Sequence, residues 1–138
     1  MKKILAFLAL VLSLYASSDI VIQNAFIKQT LPNSKNSAIF LEIYNNSNQD
    51  ISLISAKTNI APVAEIHAHI QENGTMMMRQ VPQITIKANS KVELKPGGYH
   101  IMLFNIKEAV RKNSKVNLSL KFDNNQTIEL KNLDVKEF

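Results

Sequence analysis

The sequence predicts an all-β protein, a sandwich or barrel with Greek-key connections, and two observations support this fold class. Short apolar segments with alternating polarity recur along the chain, and turn-forming residues separate them at short intervals. No long segment has the periodicity of an amphipathic helix. With 138 residues, of which 46% are hydrophobic, the chain is long enough for one domain and short for two.

The first three strands are expected at 19–28, 38–44 and 51–56. The first alternates loosely, whereas the second (AIFLEIY) is apolar and aromatic enough to be buried, and the third is a short apolar segment. The stretches between them are rich in asparagine and serine, which favour turns.

A hairpin is expected next. Residues 63–70 alternate cleanly, with alanine and isoleucine on one face of the strand. The other face carries the polar side chains Glu65, His67 and His69. The Asn-Gly pair at 73–74 predicts a tight turn, after which residues 76–81 return alongside the first strand.

The remaining strands are shorter. Isoleucines at 84 and 86 mark one, and the apolar residues at 92 and 94 mark another. KPGG at 95–98 predicts a tight turn into a strand at 99–104. Residues 106–111 are expected to form a turn or one helical turn. The last strands are expected at 116–122 and 127–133, where the fold ends.

Residues 1–18 have the composition of a cleavable secretory signal peptide with a helical apolar region. Lys2 and Lys3 precede an apolar run that is short for a membrane span, and small residues follow it. We expect cleavage after Ala16 or Ser18, which leaves residues 19–138 as a periplasmic domain that no longer contacts the membrane. An uncleaved membrane anchor is the alternative. No cysteine follows the apolar run for lipid attachment.

Charge and cysteine content exclude several classes of function. Removal of Lys2 and Lys3 lowers the formal net charge of +5 by two, and the other lysines are spread along the chain, so no nucleic-acid partner is expected. Without cysteine, neither a blue-copper site nor a thiol–disulfide oxidoreductase can be built. No Ser-His-Asp or paired-carboxylate arrangement stands out, and neither cleavage site exposes the N-terminal histidine of a histidine-brace monooxygenase. We therefore do not expect an enzyme.

Soft and borderline metal ligands are concentrated between residues 65 and 104. This region contains every histidine and methionine that follows the signal peptide: His67, His69, Met76, Met77, Met78, His100 and Met102. Imidazole and thioether suit Cu(I), whereas hard cations prefer oxygen. Because residues two apart in a strand share a face, one strand can present two donors. We expect two imidazoles and two thioethers to meet around one copper ion at one end of the sandwich.

Packing alone does not account for these residues. Three consecutive methionines cannot all face the core of a strand, because neighbouring side chains point to opposite faces. His67 and His69 likewise occupy the polar face of their strand. The alternative is a metal-free exported interaction module, in which the methionines form a contact patch.

The spacing of the donors resembles the His-x10-Met-x21-His-x-Met signature of the periplasmic copper A chaperone (PCuAC-type) family. The four residues that match it are His67, Met78, His100 and Met102. The flanking segments AEIHAH, GTMMMRQV and VELKPGGYHIMLF are also similar to that family. Phe26 and Lys28 stand where the family usually carries tryptophan and arginine. The likeness extends over about residues 19–133.

The resemblance implies a cupredoxin-like β-sandwich that binds one Cu(I) ion per chain through those four residues. Possible accessory donors outside the motif are His69, Met76 and Met77. The family is associated with supplying copper to the copper A site of cytochrome c oxidase. The expected partners of a monomeric protein are therefore subunit II of the oxidase, a thiol-bearing copper chaperone, or both. A periplasmic copper buffer or resistance protein with the same site is the alternative.

Some relatives also carry a His- and Met-rich tail that binds Cu(II). This chain ends LKNLDVKEF and has no such tail. A second copper site of that kind is therefore not expected.

Overall fold

The computed structural model describes residues 19–138, and the expected signal peptide lies outside them. The described residues form eleven strands and no helix. Residues 19–138 therefore contain no helix that could cross a membrane. The strands are β1 (Ile20–Lys28), β2 (Ser37–Asn45), β3 (Ile51–Thr58), β4 (Val63–Glu72), β5 (Thr75–Gln80), β6 (Ile84–Ile86), β7 (Ser90–Leu94), β8 (His100–Phe104), β9 (Leu118–Phe122), β10 (Thr127–Leu130) and β11 (Asp134–Lys136). The predicted all-β class is confirmed.

The strands form two sheets. The larger sheet has seven strands, six of them in the order β11-β1-β2-β8-β4-β5. The seventh, β7, pairs with the second half of β2, and β8 pairs with the first half. The smaller has the order β10-β9-β3-β6. The β1–β11 pair is parallel, and the other pairs in both sheets are antiparallel. The chain passes repeatedly from one sheet to the other, which gives a sandwich.

The core lies between the sheets. On β2, Ile39, Leu41 and Ile43 are completely or almost completely buried, and Leu53 and Phe122 from the smaller sheet are fully buried against the same cluster. Each such side chain contributes about 1.5–3 kcal/mol on burial. Because the chain has no cysteine, this packing stabilises the sandwich without disulfides.

Asparagine supplies most of the unusual backbone conformations in the described residues. The seven non-glycine residues with positive φ are all asparagines: Asn24, Asn33, Asn73, Asn89, Asn105, Asn125 and Asn132. Asparagine tolerates the left-handed region better than other residues with a Cβ atom. At the β4–β5 hairpin, Asn73 and Gly74 have φ angles of 50° and 78°, as a type I′ turn requires. This turn fixes the register between β4 and β5.

Two details differ from the sequence prediction. The expected strand at 127–133 ends at Leu130, and the chain then turns at Asn132 and forms β11, which pairs with β1. Because β11 is only three residues long, its sequence is too short to show the alternation of apolar and polar residues by which a strand is predicted. Residues 106–111 form no helical turn; Val110 is buried, and its backbone N–H donates to Oγ1 of Thr30 at 3.0 Å.

Candidate metal centre

Strand register brings the predicted donors together. His67 of β4 lies directly opposite His100 of β8, and Glu65 lies opposite Met102. On the other side of β4, His69 lies opposite Met78 of β5. Directly opposed residues point to the same face of a sheet, as do residues two apart in one strand. Both histidines and both methionines of the motif therefore share one face across three adjacent strands.

That face is the outer face of the larger sheet. The residues between the donors, Ile66 on β4 and Ile101 on β8, point into the core and are buried. Alternation then directs the donors away from the smaller sheet. The prediction that they meet at one end of the sandwich was wrong, because the paired positions fall within β4 and β5 as well as at the start of β8.

One ring nitrogen of each of the two opposed histidines makes a hydrogen bond that fixes the orientation of the ring. Nε2 of His67 lies 2.8 Å from a carboxylate oxygen of Glu65, and Nδ1 of His100 lies 3.0 Å from the carbonyl oxygen of Gly98. Both partners are acceptors, so each of these ring nitrogens carries the hydrogen. In the neutral rings, Nδ1 of His67 and Nε2 of His100 therefore keep their lone pairs free.

These two free nitrogens are buried and have no hydrogen-bond partner in the structure. The ring centroids are 5.6 Å apart. With metal–nitrogen bonds of about 2 Å, as in zinc sites, two rings on one ion have centroids within roughly 6 Å of each other. Buried polar atoms usually have partners, and an unpaired one requires an explanation. The pair fits a metal ion bound between His67 and His100.

The pKa of His100 is lowered from its ordinary value of 6.5. Burial of the ring is the main cause, and nearby His67 and His69 add to it, while the hydrogen bond to the Gly98 carbonyl opposes it. The ring is therefore neutral at physiological pH, which is the form that can donate to a metal.

The thioethers lie at the solvent side of this pair. Met78 is half exposed and Met102 is partly buried. Both line a groove of about 300 Å³ together with His69 and His100. His67 does not line this groove, and only 11% of its side chain is exposed. The groove therefore gives solvent and partners access to the sulfur atoms while the His67 donor stays covered.

The accessory donors differ in position. The ring of His69 meets that of His100 edge-on at 5.5 Å, so it belongs to the same cluster. Met76 is on the same face, opposite Gln71, and is exposed. Met77 points to the other face, and its sulfur lies 3.5 Å from a guanidinium nitrogen of Arg79. Of the three accessory candidates, Met77 alone faces away from the cluster.

Within residues 19–138, no group of three or more His, Cys, Asp and Glu side chains is arranged to hold a metal ion. Methionine is not among those four residue types. The donor set here consists of two imidazole nitrogens with thioethers beside them. Such a mixture suits a soft monovalent ion better than a hard cation.

Sequence reasoning missed the residues that orient the histidines. Glu65 was noted only as part of a polar face, and Gly98 only as part of a turn. The available signal was the spacing, because a carboxylate two residues before a histidine in a strand shares its face. Phe40, whose ring centroid is 6.3 Å from that of His100, was not recognised as a neighbour of the site.

Together, the fold and this cluster define a β-sandwich domain with imidazole and thioether donors on the outer face of one sheet. The family model "Putative lipoprotein LpqE-like" matches residues 20–135. The chain belongs to the LpqE-like family, and its solved structural neighbours include PCuAC domains, which confirms the resemblance seen in the sequence.

Two relatives have been found by sequence. "Putative lipoprotein Lxx21020" of Leifsonia xyli is 28% identical over 73% of this chain and 61% of its own length. "Uncharacterized protein RP573" of Rickettsia prowazekii is 30% identical over 65% of this chain and 50% of its own length. The match therefore spans only about half to three fifths of these relatives.

Solved structures extend the comparison. The solution structure of Cu(I)-bound DR1885 from Deinococcus radiodurans is 27% identical, with a TM-score of 0.70 over 89% of this chain and 81% of that chain. The copper-bound PCuAC domain from PmoF2 is 18% identical, with a TM-score of 0.74 over 90% of this chain and 97% of that chain. At that identity, the second comparison shows the fold alone.

Proposed function

We propose that this protein is a periplasmic copper chaperone that binds one Cu(I) ion through His67, Met78, His100 and Met102. The observation that carries the proposal is the pair of buried, unpartnered nitrogens on His67 and His100. Two groove-lining thioethers complete a neutral, soft donor set. The similarity of this chain to DR1885, whose structure has been solved with Cu(I) bound, also supports the proposal.

The proposed role needs no catalytic step. The residues must hold Cu(I) away from water and then release it to an acceptor. Thiolates donate more strongly to Cu(I) than neutral thioethers, so transfer from this site to a cysteine site is favourable. Methionine cannot form disulfides in an oxidising compartment, although it can be oxidised to the sulfoxide. The open side of the groove lets an acceptor approach the exposed Met78 first.

The acceptor we propose is the copper A site of cytochrome c oxidase, reached through subunit II directly or through a thiol-bearing chaperone. Deletion of the gene tests this step. Loss of oxidase activity at low copper, restored by added copper, would support delivery. Copper sensitivity with normal oxidase activity would instead support a buffer or resistance role for the same site.

Copper binding itself has a direct test. The purified protein is titrated with Cu(I) under anaerobic conditions against a chromogenic Cu(I) chelator. We expect it to withdraw one equivalent of Cu(I) from the chelator. A protein that withdraws none would overturn the proposal and leave a metal-free interaction module as the better description.

A further inference from the structure

Beside the metal centre, the outer face of the larger sheet carries a surface of three aromatic and two cationic side chains. We call this surface the aromatic platform; it consists of Phe26, Lys28, Phe40, Lys136 and Phe138. The ring centroids of Phe26 and Phe40 are 5.4 Å apart, and Phe138 lies 6.2 Å from the first and 6.3 Å from the second. Phe40 also contacts the ring of His100. The platform is therefore continuous with the metal centre.

The positions of the two lysines of the platform bring two like charges close together. Lys28 and Lys136 lie directly opposite each other in the β1–β11 pair, where like charges repel. Among the described residues, the ion pairs involve other side chains, and neither of these lysines has a carboxylate within salt-bridge distance. Each ammonium instead lies over a ring, Lys28 at 4.9 Å from Phe138 and Lys136 at 4.1 Å from Phe26. Two positive charges that make no ion pair are thus held in defined positions, with Asp134 the carboxylate that shares their face, opposite Phe26.

The platform and the donors share one groove. Lys28, Phe40 and Phe138 line it together with His100 and Met102. Phe138 is also 60% exposed, so the rim of the groove is apolar as well as cationic. A partner that contacts the platform would therefore bring its own atoms next to the proposed copper ligands.

We propose that the aromatic platform docks a copper acceptor that presents a pair of cysteine thiolates on an acidic surface. This inference rests on the proposed function. Two thiolates that share one Cu(I) carry a net negative charge, which complements the charges of Lys28 and Lys136. Charge complementarity of this kind raises the rate of encounter and fixes the orientation of docking. The exposed phenyl ring of Phe138 supplies the apolar contact.

The test uses two synthetic dicysteine peptides that differ only in flanking glutamates or flanking lysines. Transfer of Cu(I) from the loaded protein is followed by stopped flow at low salt. We expect the acidic peptide to accept copper about tenfold faster than the basic one, because steering acts on the association rate. In the K28Q/K136Q variant this ratio should fall to about threefold or less.

The matched control is K57Q/K121Q, which removes two exposed lysines from the smaller sheet. It should retain the wild-type ratio. An unchanged ratio in K28Q/K136Q, an equal loss in the control, or equal wild-type rates for the two peptides would each overturn the inference.

A copper-free measurement separates failure of this inference from failure of the proposed function. The metal-free protein is titrated with the acidic peptide carrying serine in place of cysteine, and amide chemical shifts are recorded. Shifts concentrated at residues 26–28 and 136–138 would support docking even for a protein that bound no Cu(I). Their absence would overturn docking even for a protein that bound Cu(I) tightly.

Discussion

The carboxylate of Glu65 accepts a hydrogen bond from Nε2 of His67 at 2.8 Å, across two positions of the same strand. The bond selects the tautomer that leaves Nδ1 free, and that atom is buried without a partner. Outer hydrogen bonds of this kind orient metal-binding histidines and strengthen them as donors. Glu65 is therefore an orienting residue of the candidate centre rather than a ligand.

We expect Glu65→Ala to weaken Cu(I) binding by roughly tenfold or more, because His67 loses its fixed tautomer and ring orientation. The measurement is a Cu(I) competition titration. Glu72→Ala is the matched control, since it removes a more exposed carboxylate of the same strand that pairs with Arg79 at 3.2 Å. Equal affinities for the two variants would contradict the orienting role.

Removal of a proposed ligand should have a larger effect. We expect His67→Ala and Met102→Ala each to weaken Cu(I) binding by well over tenfold, which is more than about 1.4 kcal/mol. Gln80→Ala is a suitable control, because Gln80 lies directly opposite His67 but supplies no soft donor. Thermal unfolding establishes that each variant is folded. Near wild-type affinity in either ligand variant would rule that residue out.

X-ray absorption on the Cu(I)-loaded protein tests which methionine of the 76–78 segment binds. We expect two nitrogen and two sulfur neighbours in the wild type, and one sulfur fewer in Met78→Leu. Met77→Leu should leave the count unchanged, because Met77 points to the opposite face of β5. Methionine and leucine have similar volumes, so both variants should fold normally. The reverse result would assign Met77 in place of Met78.

The lowered pKa of His100 predicts how stability without metal depends on pH. Below pH 6.5 the unfolded chain protonates this histidine, whereas the folded chain resists until its own lower pKa is reached. The free energy of unfolding should therefore fall as the pH drops through 6.5, and this contribution should level off below the folded pKa. Melting temperatures of the metal-free protein between pH 7.5 and 5 provide the measurement.

The comparison variant for this effect is His100→Gln, which has no group that titrates in this range. It should show a shallower loss of melting temperature below pH 6.5 than the wild type. Parallel curves for the two proteins would mean that His100 does not contribute to the pH dependence.

Sequence patterns predicted most of the fold because the strands are short apolar or alternating segments, most clearly at 63–70, and turn-forming residues separate them. It also predicted the hairpin that places Met78 beside His69, since Asn73 and Gly74 favour a tight turn. The pairing of β4 with β8 was not predictable in the same way. Three strands, β5 to β7, lie between β4 and β8 along the chain, and the register of this pair depends on packing of the whole core.

In the candidate site too, local features could be predicted from the sequence and long-range contacts could not. Donor identity was readable from residue types and spacing, because imidazole and thioether chemistry is local to each side chain. The unpartnered nitrogens, the role of Glu65 and the platform around Phe138 depend on which strands are neighbours. The short strand that carries Lys136 also has no distinctive pattern, so the lysine pair could be found only in the structure.

Placement of the donors on regular strands has a consequence for recognition. Because the register of β4, β5 and β8 already sets the positions of their side chains, loading should need changes in rotamer and little movement of the backbone. The empty and loaded proteins would then present nearly the same shape. We therefore expect an acceptor to distinguish them by the ion's charge and its readiness to exchange ligands, with no signal carried by a change in conformation.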